Sequence, residues 1–323
     1  NYMTALNAGI SPNNSEGSTA LITGTMPYTD HMIIPYGNGA FMVFTDDDPD
    51  RSSLNRTRVV YTVYDGNTWS SPLVVDPVDF TGDFKPKIAA TNSGVIAVWE
   101  NISEVLPDDA RLGHALEKEE IAVAVYNGAT GTWSGIRNLT NDQFMDVTSE
   151  IAAEGDKGMV VWIKSKAMDY SDALMSGFDS ENHIMFSLYD GNNFNEPASI
   201  HQTDNVLVNG SLAYEEDHAV YVFALDMDRD LSTDGDQEIY YMIYSKGEWS
   251  QPVRVTDDYV KDTNPKVTYL MGNPFLVWHR DGKIVYTKNV LISTEPKTAK
   301  EDTLLHENFI LAVRDQNSES ILL

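Results

Sequence analysis

The chain has 323 residues, with 22 Lys and Arg against 49 Asp and Glu, a formal net charge of −27 and no cysteine. That balance excludes nucleic acid and anionic membrane surfaces as natural partners, because phosphate contacts need clustered Lys and Arg. The missing cysteines exclude disulfides, thiolate metal sites and cysteine nucleophiles. A hydrophobic content of 42% is that of an ordinary globular protein. No apolar run approaches the roughly 18 residues of a membrane-spanning helix, so membrane insertion is not expected. No basic-then-apolar segment opens the chain, which reads as a mature product, an expressed segment or a cytosolic protein.

In chain order, the same four short strand-like segments keep returning. The first round is GAFMVFT (39–45), RVVYTVYDG (58–66) and TWSSPLVV (68–75). The second is FKPKIAA (84–90), GVIAVWE (94–100), EIAVAVYNG (120–128) and TWSGIRNL (132–139). The third is VTSEIAA (147–153), GMVVWIK (158–164), HIMFSLYDG (183–191) and FNEPASI (194–200). HAVYVFA (218–224), EIYYMIYSK (238–246) and EWSQPVRV (248–255) make a fourth round; TNPKVTY (263–269) and PFLVWHR (274–280) begin a fifth. Each segment alternates or runs apolar between Gly, Pro, Asn and Asp, as strands do.

The equivalent aromatics Phe44, Trp99, Trp162, Phe223 and Trp278 recur about every 55 to 63 residues, a period long for a blade but compatible with loop insertions. The spacing predicts an all-β fold, a β-propeller of four-stranded antiparallel blades in one domain over 1–323. Five blades are visible, at about 28–76, 83–141, 146–203, 207–257 and 263–292. The termini, 1–27 and 293–323, carry strand-like runs that would form a composite sixth blade. The rival reading is a fragment of a longer propeller.

All six Trp fall in two repeat registers, Trp99, Trp162 and Trp278 in second strands and Trp69, Trp133 and Trp249 in fourth strands. A residue repeated from blade to blade is expected in the inter-blade core. Sites are expected instead where the repeats differ, on the long connections between second and third strands. Those connections are acidic, and the ligand face drawn from them comprises Asp46, Asp47, Asp48, Tyr170 and Phe178, with His279 and Arg280 after one blade's Trp. Two of the loops have helix-like stretches, with Leu112 and Leu116 at i, i+4 spacing in one and Tyr170, Leu174, Met175 and Phe178 in the other. Their apolar residues are expected to pack down on the blades.

The densest local chemistry is LDMDRDLSTDGDQE, where Asp226, Asp228, Asp230, Asp234, Asp236 and Glu238 put six carboxylates in thirteen residues. Alternating Asp on a loop can turn several oxygens to one centre, as Ca²⁺ requires. The spacing is not that of an EF-hand, whose sixth position is Gly; here it is Leu231. A structural Ca²⁺ is therefore expected, with a solvated acidic hairpin as the alternative.

The Tyr-Asp-Gly…Trp-Ser-x-Pro and Asp-x-Asp…Asp-x-Glu-Ile motifs resemble those of secreted bacterial β-propellers related to sialidase and BNR-repeat proteins, over residues 84–289. The resemblance implies an extracellular or cell-surface location. It does not carry over a sialidase site. The Asp box Ser-x-Asp-x-Gly-x-x-Trp is not met, since YDGNTW lacks the residue between Asp and Gly, and no Arg-Ile-Pro segment occurs. Asp83, Asp146 and Asp262 precede the first strand of three blades and are the catalytic candidates; their recurrence favours a structural task such as capping a turn.

The expectation is a non-catalytic recognition domain, a monomeric unit of a larger chain, that binds a glycan or a cell-surface protein through an acidic, calcium-ordered face. The alternatives are a polysaccharide hydrolase or lyase using axial carboxylates, and a structural spacer of a surface protein.

Overall fold

The structure, a computed structural model, describes residues 29–166, 181–228, 235–288, 21, 233 and 290. The chain divides into two compact units, Asn1–Gln143 and Phe144–Leu323. Every sheet in both is antiparallel, with its strands side by side in chain order.

Among the described residues, the first unit holds two sheets. One is β1 (His31–Tyr36), β2 (Gly39–Asp47), β3 (Thr57–Tyr64) and β4 (Leu73–Val74). The other is β5 (Asp83–Ala90), β6 (Gly94–Ile102) and β7 (Glu119–Asn127), with β8 (Thr132–Trp133) and β9 (Arg137–Asn138) both on β7. A single-turn helix, α1 (Leu112–Leu116), lies in the β6–β7 loop. Leu112 is exposed there, so it does not pack down as its spacing suggested.

Among the described residues, the second unit holds three sheets. The first is β10 (Met145–Glu154), β11 (Lys157–Lys166), β12 (Glu181–Tyr189) and β13 (Ala198–Thr203). Next come β14 (Val206–Glu215), β15 (His218–Asp226) and β16 (Gln237–Ser245), with β17 (Glu248–Trp249) and β18 (Val253–Arg254) both on β16. The last is β19 (Asp262–Leu270), β20 (Asn273–Arg280) and β21 (Lys283–Thr287). The expected closing blade from the termini lies outside the described residues, as does the helix-like stretch with Tyr170 and Phe178.

The second strands read as apolar runs because they are covered on both faces. Along β15, Tyr221 and Phe223 join Met159, Val161, Ile184 and Met242 in one core, while Val220 and Val222 join Ile239, Leu276 and Trp278 in another. Alternation across the strand sends successive side chains to opposite neighbours. In the first unit Phe41, Val43 and Tyr61 pack against Ile88, Val95, Ala97 and Trp99. Trp133 closes that core, its ring 5.4 Å from Tyr61 and 5.3 Å from Tyr126.

The repeated phrase has a backbone explanation. In YDG, Asp65 Oδ1 accepts from the N–H of Asn67 and of Thr68, each at 2.8 Å, and Asp190 repeats this with Asn192 and Asn193. These Asx turns hold both carboxyls below the usual carboxylate range. In Trp-Ser, the hydroxyls of Ser70, Ser134 and Ser250 accept the N–H of Val63, Val125 and Ile243 in the third strand. The serine thus replaces a ladder carbonyl where the fourth strand breaks. The motif makes turns and sheet edges.

Candidate functional site

The first strands of three sheets each contain a bulge, with the residue two after the aspartate at positive φ: Lys85 at 49°, Thr148 at 56° and Asn264 at 51°. Beside each bulge the aspartate turns inward. Trp99 Nε1 donates to Asp83 Oδ1 at 2.7 Å, Trp162 to Asp146 at 2.6 Å, and Trp278 to Asp262 at 2.7 Å. Where the second strand carries Phe223 in place of Trp, the residue in the aspartate's register is Leu207. The aspartate therefore accompanies the indole N–H, a donor that must be satisfied when buried.

The residue two after each Trp completes the lock, and it differs. Asn101 Nδ2 donates to Asp83 at 3.1 Å; Lys164 Nζ lies 3.4 Å from Asp146; Arg280 Nη1 lies 2.9 Å from Asp262. Burial and the neighbouring Asp79 push the Asp83 carboxyl up to about 7, against the hydrogen bonds from Asn101 and Trp99. Burial raises Asp262 less, to about 6, because Arg280 opposes it. All three carboxylates are buried. Groups enclosed this way act as packing locks in place of the turn caps expected from the sequence.

Within the acidic loop, carboxylate oxygens of Asp226, Asp228 and Asp236 lie within 4.8 Å of one another. Asp226 is the buried last residue of β15. The N–H of Asp228 donates to Asp236 Oδ2 at 3.2 Å, and Thr233 Oγ1 donates to Asp228 Oδ2 at 3.1 Å. Burial and the Asp228 carboxylate push Asp236 upward, the response of crowded like charges. Three hard oxygens suit Ca²⁺ or Mg²⁺, although Ca²⁺ takes six to eight. Asp230 and Asp234 lie outside the described residues. Glu238 is not part of the cluster: its Oε1 accepts from the N–H of Asp258 at 2.9 Å and pairs with Arg254 at 3.2 Å.

The expected ligand face is largely neutralised from within. Arg56 Nε donates to Asp47 at 2.8 Å, and Arg58 bridges Asp46 at 3.0 Å and Asp48 at 2.7 Å. The Asp46–Asp48 run is thus a strand end tied to its partner strand. Arg280 is engaged by Asp262 and Asp258. His279 is exposed, and Asp281–Gly282 turns the β20–β21 hairpin at φ 44° and 71°. Tyr170 and Phe178 lie outside the described residues.

Two exposed aromatics escape a reading built on repeats. Tyr259, in the link between β18 and β19, is 98% exposed. Its backbone sits against Gly235 of the acidic loop; a Cβ at Gly235 would lie 2.7 Å from the Tyr259 carbonyl oxygen. The backbone of an exposed tyrosine therefore runs against the acidic loop. Phe80, in the link before β5, is 60% exposed and carries the Arg51 guanidinium 5.4 Å from its centroid. Both lie off the repeat register, the only sequence signal that marks them.

No family model matches the sequence, and no curated protein matches it. Solved structures do match in shape. An α-L-arabinanase from Penicillium chrysogenum superposes with a TM-score of 0.53 at 13% identity, covering 83% of this chain and 79% of that one. A polysaccharide lyase of the PL25 ulvan lyase family gives 0.51 at 11%, covering 80% and 68%. An α-L-arabinofuranosidase from Fusarium graminearum gives 0.50 at 13%, covering 80% and 77%. At such identities the likeness is one of fold, and with the repeated antiparallel sheets it makes this chain a β-propeller.

Proposed function

We propose that this chain acts on a polysaccharide, as a glycoside hydrolase or polysaccharide lyase of the β-propeller class. The fold likeness carries this reading. The arabinanase, the arabinofuranosidase and the ulvan lyase are named for cleaving glycans, and each superposes on about four fifths of this chain. The loop bearing Asp226, Asp228 and Asp236 would hold a divalent cation, Ca²⁺ by its hard oxygen donors, and so order the surface beside Tyr259. An exposed tyrosine next to a cation is suited to stacking a sugar ring and ligating its hydroxyls. The matching location is extracellular or at the cell surface, where polysaccharides are met.

A second reading, recognition without cleavage, is favoured by one observation. The aspartates at the strand register first considered for catalysis are buried under their own tryptophans. The deciding experiment incubates the protein with arabinans, ulvan and a wider polysaccharide panel, with Ca²⁺ and with chelator. New reducing ends indicate hydrolysis, and ultraviolet absorbance of an unsaturated product indicates a lyase. Retention on a polysaccharide without product supports recognition. No product and no retention on any polymer would overturn both.

A further inference from the structure

The outer strands of one sheet hold a hydroxyl, an imidazole and a carboxylate in line. On β12, Glu181 and His183 are two apart and share a face. On β13, Ser199 stands opposite Met185, on the diagonal from His183. His183 Nε2 lies 2.7 Å from Glu181 Oε1, and its Nδ1 lies 2.9 Å from Ser199 Oγ. An ionised carboxylate only accepts, so it draws the ring proton to Nε2 and leaves Nδ1 to accept from the serine hydroxyl. The imidazole is mostly covered, its side chain 12% exposed, whereas Ser199 is open to solvent.

This trio breaks the repeat. The ladder step Met185–Ser199 is matched by Val60–Val74, Ala122–Asn138 and Tyr240–Arg254 in three other sheets. In the register of Glu181, His183 and Ser199 those sheets carry Arg56, Arg58 and Val74; Lys118, Glu120 and Asn138; and Asp236, Glu238 and Arg254. In the last of these the diagonal holds an ion pair, Glu238 with Arg254 at 3.2 Å. The same step thus brings the two side chains within bonding reach, and only β12–β13 places a nucleophile and a base there among the described sheets. A bulge follows at once: His201 pairs with Ile184 and Ser199 with Met185, so Ile200 has no partner across the ladder. The amide after a nucleophilic serine is a common donor to a developing oxyanion, and β13 is an outer edge strand with one side unpaired.

We propose that Glu181, His183 and Ser199 form a second catalytic site, which hydrolyses short-chain carboxylic esters such as O-acetyl groups. Ser199 Oγ attacks the ester carbonyl carbon and its proton passes to His183 Nδ1. The bond to the leaving oxygen breaks, that oxygen takes the proton from Nδ1, and an alcohol departs to leave acyl-Ser199. Water then gives its proton to Nδ1 as its oxygen attacks the acyl carbon; Ser199 Oγ leaves and recovers the proton, and the carboxylic acid is released. Glu181 is the positioning residue that keeps Nδ1 free to accept.

The test treats the full chain with a fluorophosphonate probe and maps the adduct by peptide mass, then follows acetate release from p-nitrophenyl acetate. The expected result is a single adduct on Ser199. Acetate release should be about 10²-fold slower in Ser199→Ala and His183→Asn, the lower end of general-base catalysis, and about tenfold slower in Glu181→Gln. Because the adduct is read on the unaltered chain, the test does not depend on a variant folding. No adduct on Ser199, or acetate release unchanged in Ser199→Ala, overturns the proposal.

Discussion

Asp83 and Asp262 occupy the same place in two sheets and accept the same indole hydrogen bond, yet they live in different electrostatic surroundings. Asp262 faces Arg280 and behaves as half of a shielded ion pair. Asp83 faces the neutral Asn101 amide and has the Asp79 carboxylate nearby. One lock is therefore largely charge-compensated and the other is not. The geometry is conserved between sheets by packing, whereas the charge balance is set by a single residue two after the tryptophan. A propeller can tune the pH response of one blade without altering its shape.

The largest test is to remove the shared donor. Trp99→Phe is expected to cost about 3 kcal/mol, from a lost hydrogen bond that leaves a buried acceptor and from incomplete filling. Adding Asp83→Leu, which reproduces the Leu207–Phe223 pairing, should recover about 1–2 kcal/mol as coupling. Strictly additive effects in urea unfolding would mean that the two residues are not a unit.

Next in size is the pH response. The folded carboxyl of Asp83 lies at about 7, above its unfolded value, so its burial penalty is absent below about pH 4 and fully present above about pH 7. Stability on its account falls as pH rises through that window. Asp83→Asn should therefore become more favourable relative to the parent by about 2–3 kcal/mol between pH 5 and pH 8. A flat difference across that range would show that Asp83 is not the titrating group.

Asp262→Asn should move in the same sense but by less, because the folded carboxyl lies at about 6, with Arg280 opposing the effect of burial. Relative to the parent it should gain about 1 kcal/mol between pH 5 and pH 8. A gain as large as that of Asp83→Asn over the same range would mean that the contrast between the two locks is wrong.

The smallest change in stability should come from Asn101→Lys, which imports the Asp146–Lys164 arrangement into the Asp83 sheet. Desolvation of the new ammonium offsets most of the Coulombic gain, leaving a net effect within about 1 kcal/mol at pH 8. The pH dependence between pH 5 and pH 8 should nonetheless flatten. Full retention of that dependence would place its origin elsewhere.

The strands were legible in the sequence because burial on both faces leaves an apolar run bounded by turn residues, as in GVIAVWE and HAVYVFA. Repetition also marked Trp99, Trp162 and Trp278 as buried packing residues, with Trp133 and Trp249 half-buried against the cores; Trp69 belongs to none of these clusters. The role of the aspartates was only half legible. Their recurrence said that they were structural, but the hydrogen bond to an indole sixteen residues away depends on a bulge that no local pattern announces. Of the acidic loop, the grouping of Asp226, Asp228 and Asp236 followed from composition, while the diversion of Glu238 to Arg254 required the β16–β18 pairing. The three consecutive aspartates at 46–48 looked like a free anionic surface only because Arg56 and Arg58 return beside them across a loop. Sequence counts charges along the chain; neutralisation occurs across strands.

The broken fourth strands bear on how copies of this protein behave when crowded together. Where the ladder stops after two residues, as at Leu73–Val74, Thr132–Trp133 or Glu248–Trp249, a neighbouring molecule finds no long row of free amides to extend. The third sheet differs among those with a described fourth strand, since β13 extends from Ala198 to Thr203 with a single bulge at Ile200. Self-association at high concentration, should the solution be driven to it, would begin by adding a strand to that edge.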